Sequence, residues 1–139
     1  MPKATQVLES CLYVDNLEVA KDFYQEVFGL DLCSEDPGRH VFFRCGAAMV
    51  LLFQPEETEK ETSREDDGID VPPHGAHGPG HLAFQVDEDS LPAWRQQFAN
   101  HGVTVEREIE WPGGGYSLYV RDPAQNSLEV ATPGLWGLG

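Results

Sequence analysis

Three side chains able to bind a metal or move a proton stand inside otherwise mainly apolar extended segments. Glu9 opens Glu9-Ser10-Cys11-Leu12-Tyr13-Val14, His81 opens His81-Leu82-Ala83-Phe84, and Glu129 lies within Ser127-Leu128-Glu129-Val130-Ala131. A buried carboxylate without a partner is costly, so such positions imply one. Two carboxylates turned toward one cleft repel unless a cation or a proton lies between them. The plainer arrangement has Glu9 and Glu129 facing solvent at sheet edges and His81 hydrogen-bonded in the core. Arg44 and Arg121 are candidates for a two-pronged grip on a substrate carboxylate or phosphate, and equally for surface ion pairs. Cys11 has no helix start or sequence-near base to activate it and reads as a small core residue. His74 and His77 sit in a Gly/Pro loop, as exposed side chains or as lid contacts.

These residues need elements to position them, and the chain repeats itself in a way that supplies the elements. Superposing Val14-Asp15 on Val86-Asp87 places Glu9 on His81. Each strand leads into a helical stretch, Leu17–Phe28 or Ser90–His101, that ends at Gly29 or Gly102 as helix C-caps prefer. In the first helix Val19, Phe23 and Val27 recur at helical spacing; in the second, Leu91, Trp94 and Phe98 do so. Extended segments follow at Leu30–Cys33, His40–Cys45 and Ala48–Gln54, and again at Val103–Ile109, Tyr116–Arg121 and Ser127–Ala131. Each half therefore reads β-α-β-β-β, and the repeat fixes the architecture. The expected fold class is α+β: two tandem βαβββ modules forming a shared β-sheet cleft. The 139 residues are read as a single domain, with module one at about 7–54, an acidic linker at 55–79, module two at about 80–132 and a C-terminal tail at 133–139. Strand alternation puts Ser117, Tyr119 and Arg121 on one face, and Glu9, Cys11 and Tyr13 on another.

Composition narrows the partners. The formal charge is −15, from 24 acids against nine bases. Such a surface repels nucleic acid and anionic membranes, so neither is an expected partner. Residues 56–70 hold eight acids against two bases, or −6 of the total, and read as a solvated linker that says little about ligand. No apolar run is long enough to span a membrane, and Met1–Gln6 lacks a signal-peptide core. Three cysteines with no CxxC spacing argue against a disulfide framework and for a cytoplasmic setting.

The repeat and three motifs resemble the vicinal oxygen chelate superfamily, which includes glyoxalase I, extradiol dioxygenases, fosfomycin-resistance thiol transferases and bleomycin-binding proteins. Asp22-Phe23-Tyr24-Gln25-Glu26-Val27-Phe28-Gly29-Leu30 looks like its first-helix signature. Gly80-His81-Leu82-Ala83-Phe84 is similar to the opening of its second module. Asp122-Pro123-Ala124-Gln125-Asn126-Ser127-Leu128-Glu129 resembles its DPxGxxxE final hairpin. The resemblance covers about residues 7–132 and implies metal ligands at Glu9, His81 and Glu129. Leu51 stands at the fourth ligand position and departs from the four-ligand glyoxalase I pattern. One imidazole and two carboxylates suit Mn or Fe, with Ni and Zn possible. The implied function is a metal-dependent glyoxalase-like enzyme that chelates a small substrate with adjacent oxygens, by lyase/isomerase, transferase or dioxygenase chemistry. Glu129 or Glu9 would serve as catalytic base, and Arg44, Ser117, Tyr119 and Arg121 would bind substrate. The resemblance also implies a homodimer. The alternative is a metal-free drug-sequestering protein of the bleomycin-resistance type. The loop Trp111-Pro112-Gly113-Gly114-Gly115 lacks the Lys and Ser that fosfomycin enzymes use to hold potassium, which argues against that activity.

Overall fold

The computed structural model describes residues 1–60 and 71–139. Within it the chain forms two compact units, Met1–Gly78 and Pro79–Gly139. The first contains β1 (Glu9–Tyr13), α1 (Leu17–Glu26), β2 (Asp31–Asp36), β3 (His40–Cys45), β4 (Ala48–Phe53) and the helical turn α2 (Pro55–Thr58). The second contains β5 (His81–Gln85), α3 (Leu91–Asn100), β6 (Arg107–Glu110), β7 (Tyr116–Arg121), β8 (Ser127–Ala131) and a closing 3-10 turn, Pro133–Trp136. Each unit builds one four-stranded sheet, in the orders β1-β4-β3-β2 and β5-β8-β7-β6. The outer pair β1/β4 is parallel, as is β5/β8; the remaining pairs are antiparallel. The α+β fold of two tandem βαβββ modules is thus present, with the acidic segment 61–70 outside the described residues.

Alternation divides each sheet into a core face and a cavity face. In the first unit Leu12, Val41, Phe43, Val50 and Leu52 are buried with Ala20 and Tyr24 of α1, and the Tyr24 and Phe43 rings lie 6.1 Å apart. Asn16 starts α1 by accepting the Val19 amide on its side chain at 3.1 Å, satisfying one of the helix's open N–H groups. In the second unit Phe84, Leu118, Val120, Leu128 and Val130 are buried with Leu91 and Phe98 of α3. Burying a side chain such as Phe43 or Phe98 contributes roughly 1.5–3 kcal/mol, and these rows decide which way each sheet faces. The opposite face carries Glu9, Leu51 and Phe42 in the first unit, and His81, Glu129 and Tyr119 in the second.

The register sharpens the repeat. Glu9 pairs with Met49 and Cys11 with Leu51; His81 pairs with Ser127 and Ala83 with Glu129. Glu9 and His81 therefore hold equivalent places in their sheets, as do Leu51 and Glu129. One expected strand is shorter than the sequence suggests. Val103–Glu106 lies outside β6 because the Val103 amide turns back to the Phe98 carbonyl at 2.8 Å, closing the end of α3 instead of joining the ladder.

The turn before β8 contains a conflict between residue type and conformation. Gln125 has φ +72°, where side chains other than glycine are disfavoured by roughly 1–2 kcal/mol. Gln125→Gly relieves that, with part of the gain offset by the freer unfolded chain. The expected result is a gain of about 0.5–1 kcal/mol in urea unfolding. A loss of stability would show that the glutamine side chain compensates for its backbone.

Candidate metal pair and substrate cavities

In the second unit β5, β7 and β8 bring His81, Ser117, Tyr119 and Glu129 onto one face. Glu129 is 4% exposed, so its carboxylate depends on protein partners. Ser117, fully buried, donates its hydroxyl to Oε2 of Glu129 and in turn accepts the Trp111 indole N–H at 2.8 Å. The His81 Nε2 approaches Oε1 of Glu129 to 3.2 Å. On the other side of the ring, Nδ1 lies 3.0 Å from the Ser127 carbonyl. A carbonyl can only accept, so Nδ1 carries the hydrogen. In the neutral imidazole Nε2 then presents a lone pair to a carboxylate oxygen, which is also an acceptor. Two acceptors face each other, and a proton or a cation must lie between them. A histidine whose rear N–H is held by a backbone carbonyl is the usual orientation of a metal ligand. The residues present therefore fit a divalent ion at this pair.

The His81 ring lies nearly parallel to Tyr119, with centroids 6.2 Å apart. Burial, followed by the nearby Glu129 charge, pushes the Tyr119 phenol above its usual range. It remains a neutral hydrogen-bond donor at physiological pH. A cavity of about 560 Å³ opens over His81, Tyr119 and Glu129, walled by Trp111, Leu135 and Trp136. The tail beyond β8 thus closes one side of it. Trp111, at the head of the glycine loop, is held by its hydrogen bond to Ser117.

The first unit has a cavity of about 580 Å³ on its own open face. Glu9, Met49 and Leu51 line one part of it, and Phe53, His40 and His74 another. Glu9 is exposed at the start of β1. Leu51 is buried and, at the position equivalent to Glu129, makes this floor apolar. His40 and Phe42 stack at 3.9 Å with an interplanar angle of 8°, and His74 meets Phe53 edge-on at 4.6 Å. His74, a loop residue by sequence, is held by the Tyr13 hydroxyl at 2.6 Å from its Nδ1. Arg39 also lines the cavity, and its buried Nε has no hydrogen-bond partner. No sequence pattern pointed to Arg39; an orphaned donor is visible only once the chain is folded.

The Tyr13 phenol is pushed up to about 12, by burial first and then by Cys11. Above pH 10 the unfolded chain loses this proton while the folded one keeps it. Stability is full below that pH and falls as pH rises toward 12. Tyr13→Phe is expected to flatten the decline between pH 10 and 12, read as thermal midpoints against pH. An unchanged slope would remove Tyr13 as its source.

The other candidates divide. Ser117 and Tyr119 stand beside Glu129. Arg121 is engaged by Glu106 through Nε at 2.8 Å and Nη2 at 3.3 Å, in an exposed ion pair. Arg44 is exposed on β3 and lines neither cavity. Glu9 belongs to the first unit, and among the described residues no three His, Cys, Asp or Glu side chains form a ready metal-binding cluster. His77 contacts Glu59. Among the described residues no helix is long and apolar enough to cross a membrane.

The model of the Glyoxalase/Bleomycin resistance protein/Dioxygenase superfamily matches residues 5–130. Among solved structures, the chain is similar to lactoylglutathione lyase from Agrobacterium tumefaciens, at 40% identity and a TM-score of 0.90, over 98% of this chain and 99% of that one. An integron cassette protein from the mobile metagenome of the Halifax Harbour sewage outfall is 24% identical, with TM-score 0.72 over 93% of this chain and 99% of that one. The fosfomycin resistance protein FosX from Mesorhizobium loti is 19% identical, with TM-score 0.61 over 95% and 93%. The last two likenesses are of fold alone. No curated protein matches.

Proposed function

Because the chain belongs to the Glyoxalase/Bleomycin resistance protein/Dioxygenase superfamily, we propose that it is a metal-dependent enzyme of lyase or isomerase type. Its substrate is a small molecule with two adjacent oxygens, such as the hemithioacetal formed by a thiol and a 2-oxoaldehyde. The observation that carries this reading is the His81–Glu129 pair, two acceptors at 3.2 Å with the far ring nitrogen committed to a carbonyl. The 40% identity to a lactoylglutathione lyase favours the same class of chemistry.

His81 and Glu129 are the first two ligands in this reading, and Glu9 is the third. A divalent ion such as Mn, Fe, Ni or Zn would supply a Lewis acid that polarises two neighbouring oxygens. The chain's own residues do the proton work. A carboxylate, Glu129 or Glu9, takes the proton from the carbon bearing hydroxyl and sulfur. It returns that proton to the adjacent carbonyl carbon, while the hydroxyl proton passes from the first oxygen to the former carbonyl oxygen. The hydroxyl carbon becomes the thioester carbonyl, the carbonyl becomes a hydroxyl, and no oxidant or reductant is required. Ser117 holds Glu129 in place, and the Ser127 carbonyl fixes the His81 tautomer. The neutral Tyr119 hydroxyl is available to donate to developing negative charge. The three free cysteines accord with a reducing cytoplasm, and a homodimer is the proposed assembly.

The test is formation of thioester from glutathione and a 2-oxoaldehyde, followed at 240 nm, with each of the four metals supplied to chelator-treated protein. Metal-dependent thioester formation by at least one supports the reading. Equal rates with and without metal and protein overturn it.

A further inference from the structure

The cavity of the first unit has chemistry at both ends. Along β4 the residues Met49, Leu51 and Phe53 floor it in sequence. Glu9 lies beside Met49 at one end; Tyr13 and His40 lie beside Phe53 at the other. Four residue-to-residue steps along the strand separate these ends, a span of about 13 Å. Glu9 thus marks a carboxylate end. The opposite end has Arg39, whose Nη1 makes a long 3.3 Å contact to the Glu57 carbonyl and whose Nε is buried without a partner. Between the ends stands an aromatic stack: the His40 and Phe42 rings are parallel to within 8° with centroids 3.9 Å apart, so a ligand ring can add to an outer face of the stack. A guanidinium is an unusual group to keep at the wall of a largely apolar cavity in a protein with a charge of −15. It is suited to an anion.

We propose that this cavity binds an aromatic carboxylate, its ring on the His40–Phe42 wall and its carboxylate on Arg39. The reacting end of a longer substrate of this class would point toward Glu9. The proposal extends the functional reading above, since Glu9 marks the reacting end. The grip on the carboxylate needs no metal, so the two can fail separately. Stacking on this pair selects against a saturated ring of equal reach, and Arg39 selects against a neutral amide of equal shape.

The experiment uses the full chain in chelator, titrated with phenylacetate, cyclohexylacetate and phenylacetamide by calorimetry or ligand-observed NMR. Phenylacetate is expected to bind at least tenfold more tightly than phenylacetamide and at least threefold more tightly than cyclohexylacetate. Arg39→Gln should bring acid and amide within twofold of each other while leaving the amide unchanged. Phe42→Leu should remove the preference for the planar ring. Glu9→Gln, at the far end, should not weaken phenylacetate. The proposal is overturned if wild-type protein binds acid and amide alike, if it binds neither, or if folded Arg39→Gln keeps the gap. Should Arg39→Gln fail to fold, the wild-type comparison alone decides. Loss of thioester formation with these preferences intact would sink the lyase reading and leave this one standing.

Discussion

Glu129→Gln is expected to lower turnover by about 10²–10⁴-fold, the range associated with loss of a positioned acid or base. The same change should weaken metal retention. Gln keeps the shape and can still meet the Ser117 hydroxyl, so the fold should survive. The variant without metal should be as stable as the wild type or slightly more so, because a buried carboxylate facing a lone pair is costly to desolvate. Turnover, metal stoichiometry and urea midpoints measured on one preparation separate these effects. Full activity in a Glu129→Gln variant would remove this residue from the mechanism.

Asp122→Ala is expected to cost about 2–4 kcal/mol of stability, since hydrogen bonds to a charged acceptor contribute roughly 1.5–3 kcal/mol each and their energies do not simply add. Asp122 is 2% exposed. Its Oδ1 accepts the amides of Ala124 and Asn126 at 2.9 and 2.8 Å, and its Oδ2 accepts the Asn126 side chain at 3.0 Å. Asn126 in turn accepts the Gly80 amide at 2.7 Å, and the Ser127 amide donates to the Gly80 carbonyl at 2.9 Å. This chain of bonds fixes the residue immediately before His81 against the strand that bears Glu129. The substitution should therefore also weaken metal binding, by about tenfold on the scale of lost supporting contacts. Unfolding curves and metal titrations at a temperature where the variant remains folded test both parts. A stability loss with unchanged metal affinity would show that the turn holds the fold but not the pair.

Much of this was legible in the residues. The halves align from Val14 on Val86 through the glycines that end their helices, and that offset alone predicts the two sheets. Placing Glu9 on His81 agrees with the strand register, and Leu51, the fourth ligand position implied by the resemblance, falls at the place equivalent to Glu129. Alternation also put Ser117 and Tyr119 on one face, because period two survives wherever a strand is regular, and the strand register adds Glu129 to that face. What escaped depends on contacts between distant segments. His74 meets Tyr13 across 61 residues, and no local pattern encodes that. Trp111 stands at the head of a glycine loop, and no local pattern signals that its indole is tied to Ser117. Arg121 fell on the expected face, yet Glu106 claims its guanidinium, and charge pairing of this kind is invisible to periodicity. Arg39 was unremarked because a turn arginine is ordinarily solvated; burial of its Nε gives it meaning.

His81, Glu129 and Glu9 are the proposed ligands of a divalent ion. The most direct measurement is calorimetric titration of chelator-stripped protein with Mn, Fe, Ni and Zn, repeated on His81→Ala, Glu129→Gln and Glu9→Gln. The account predicts saturable binding of one ion per chain for at least one metal, greatly weakened in all three variants. Absence of binding by the wild type, or binding indifferent to all three substitutions, would contradict it.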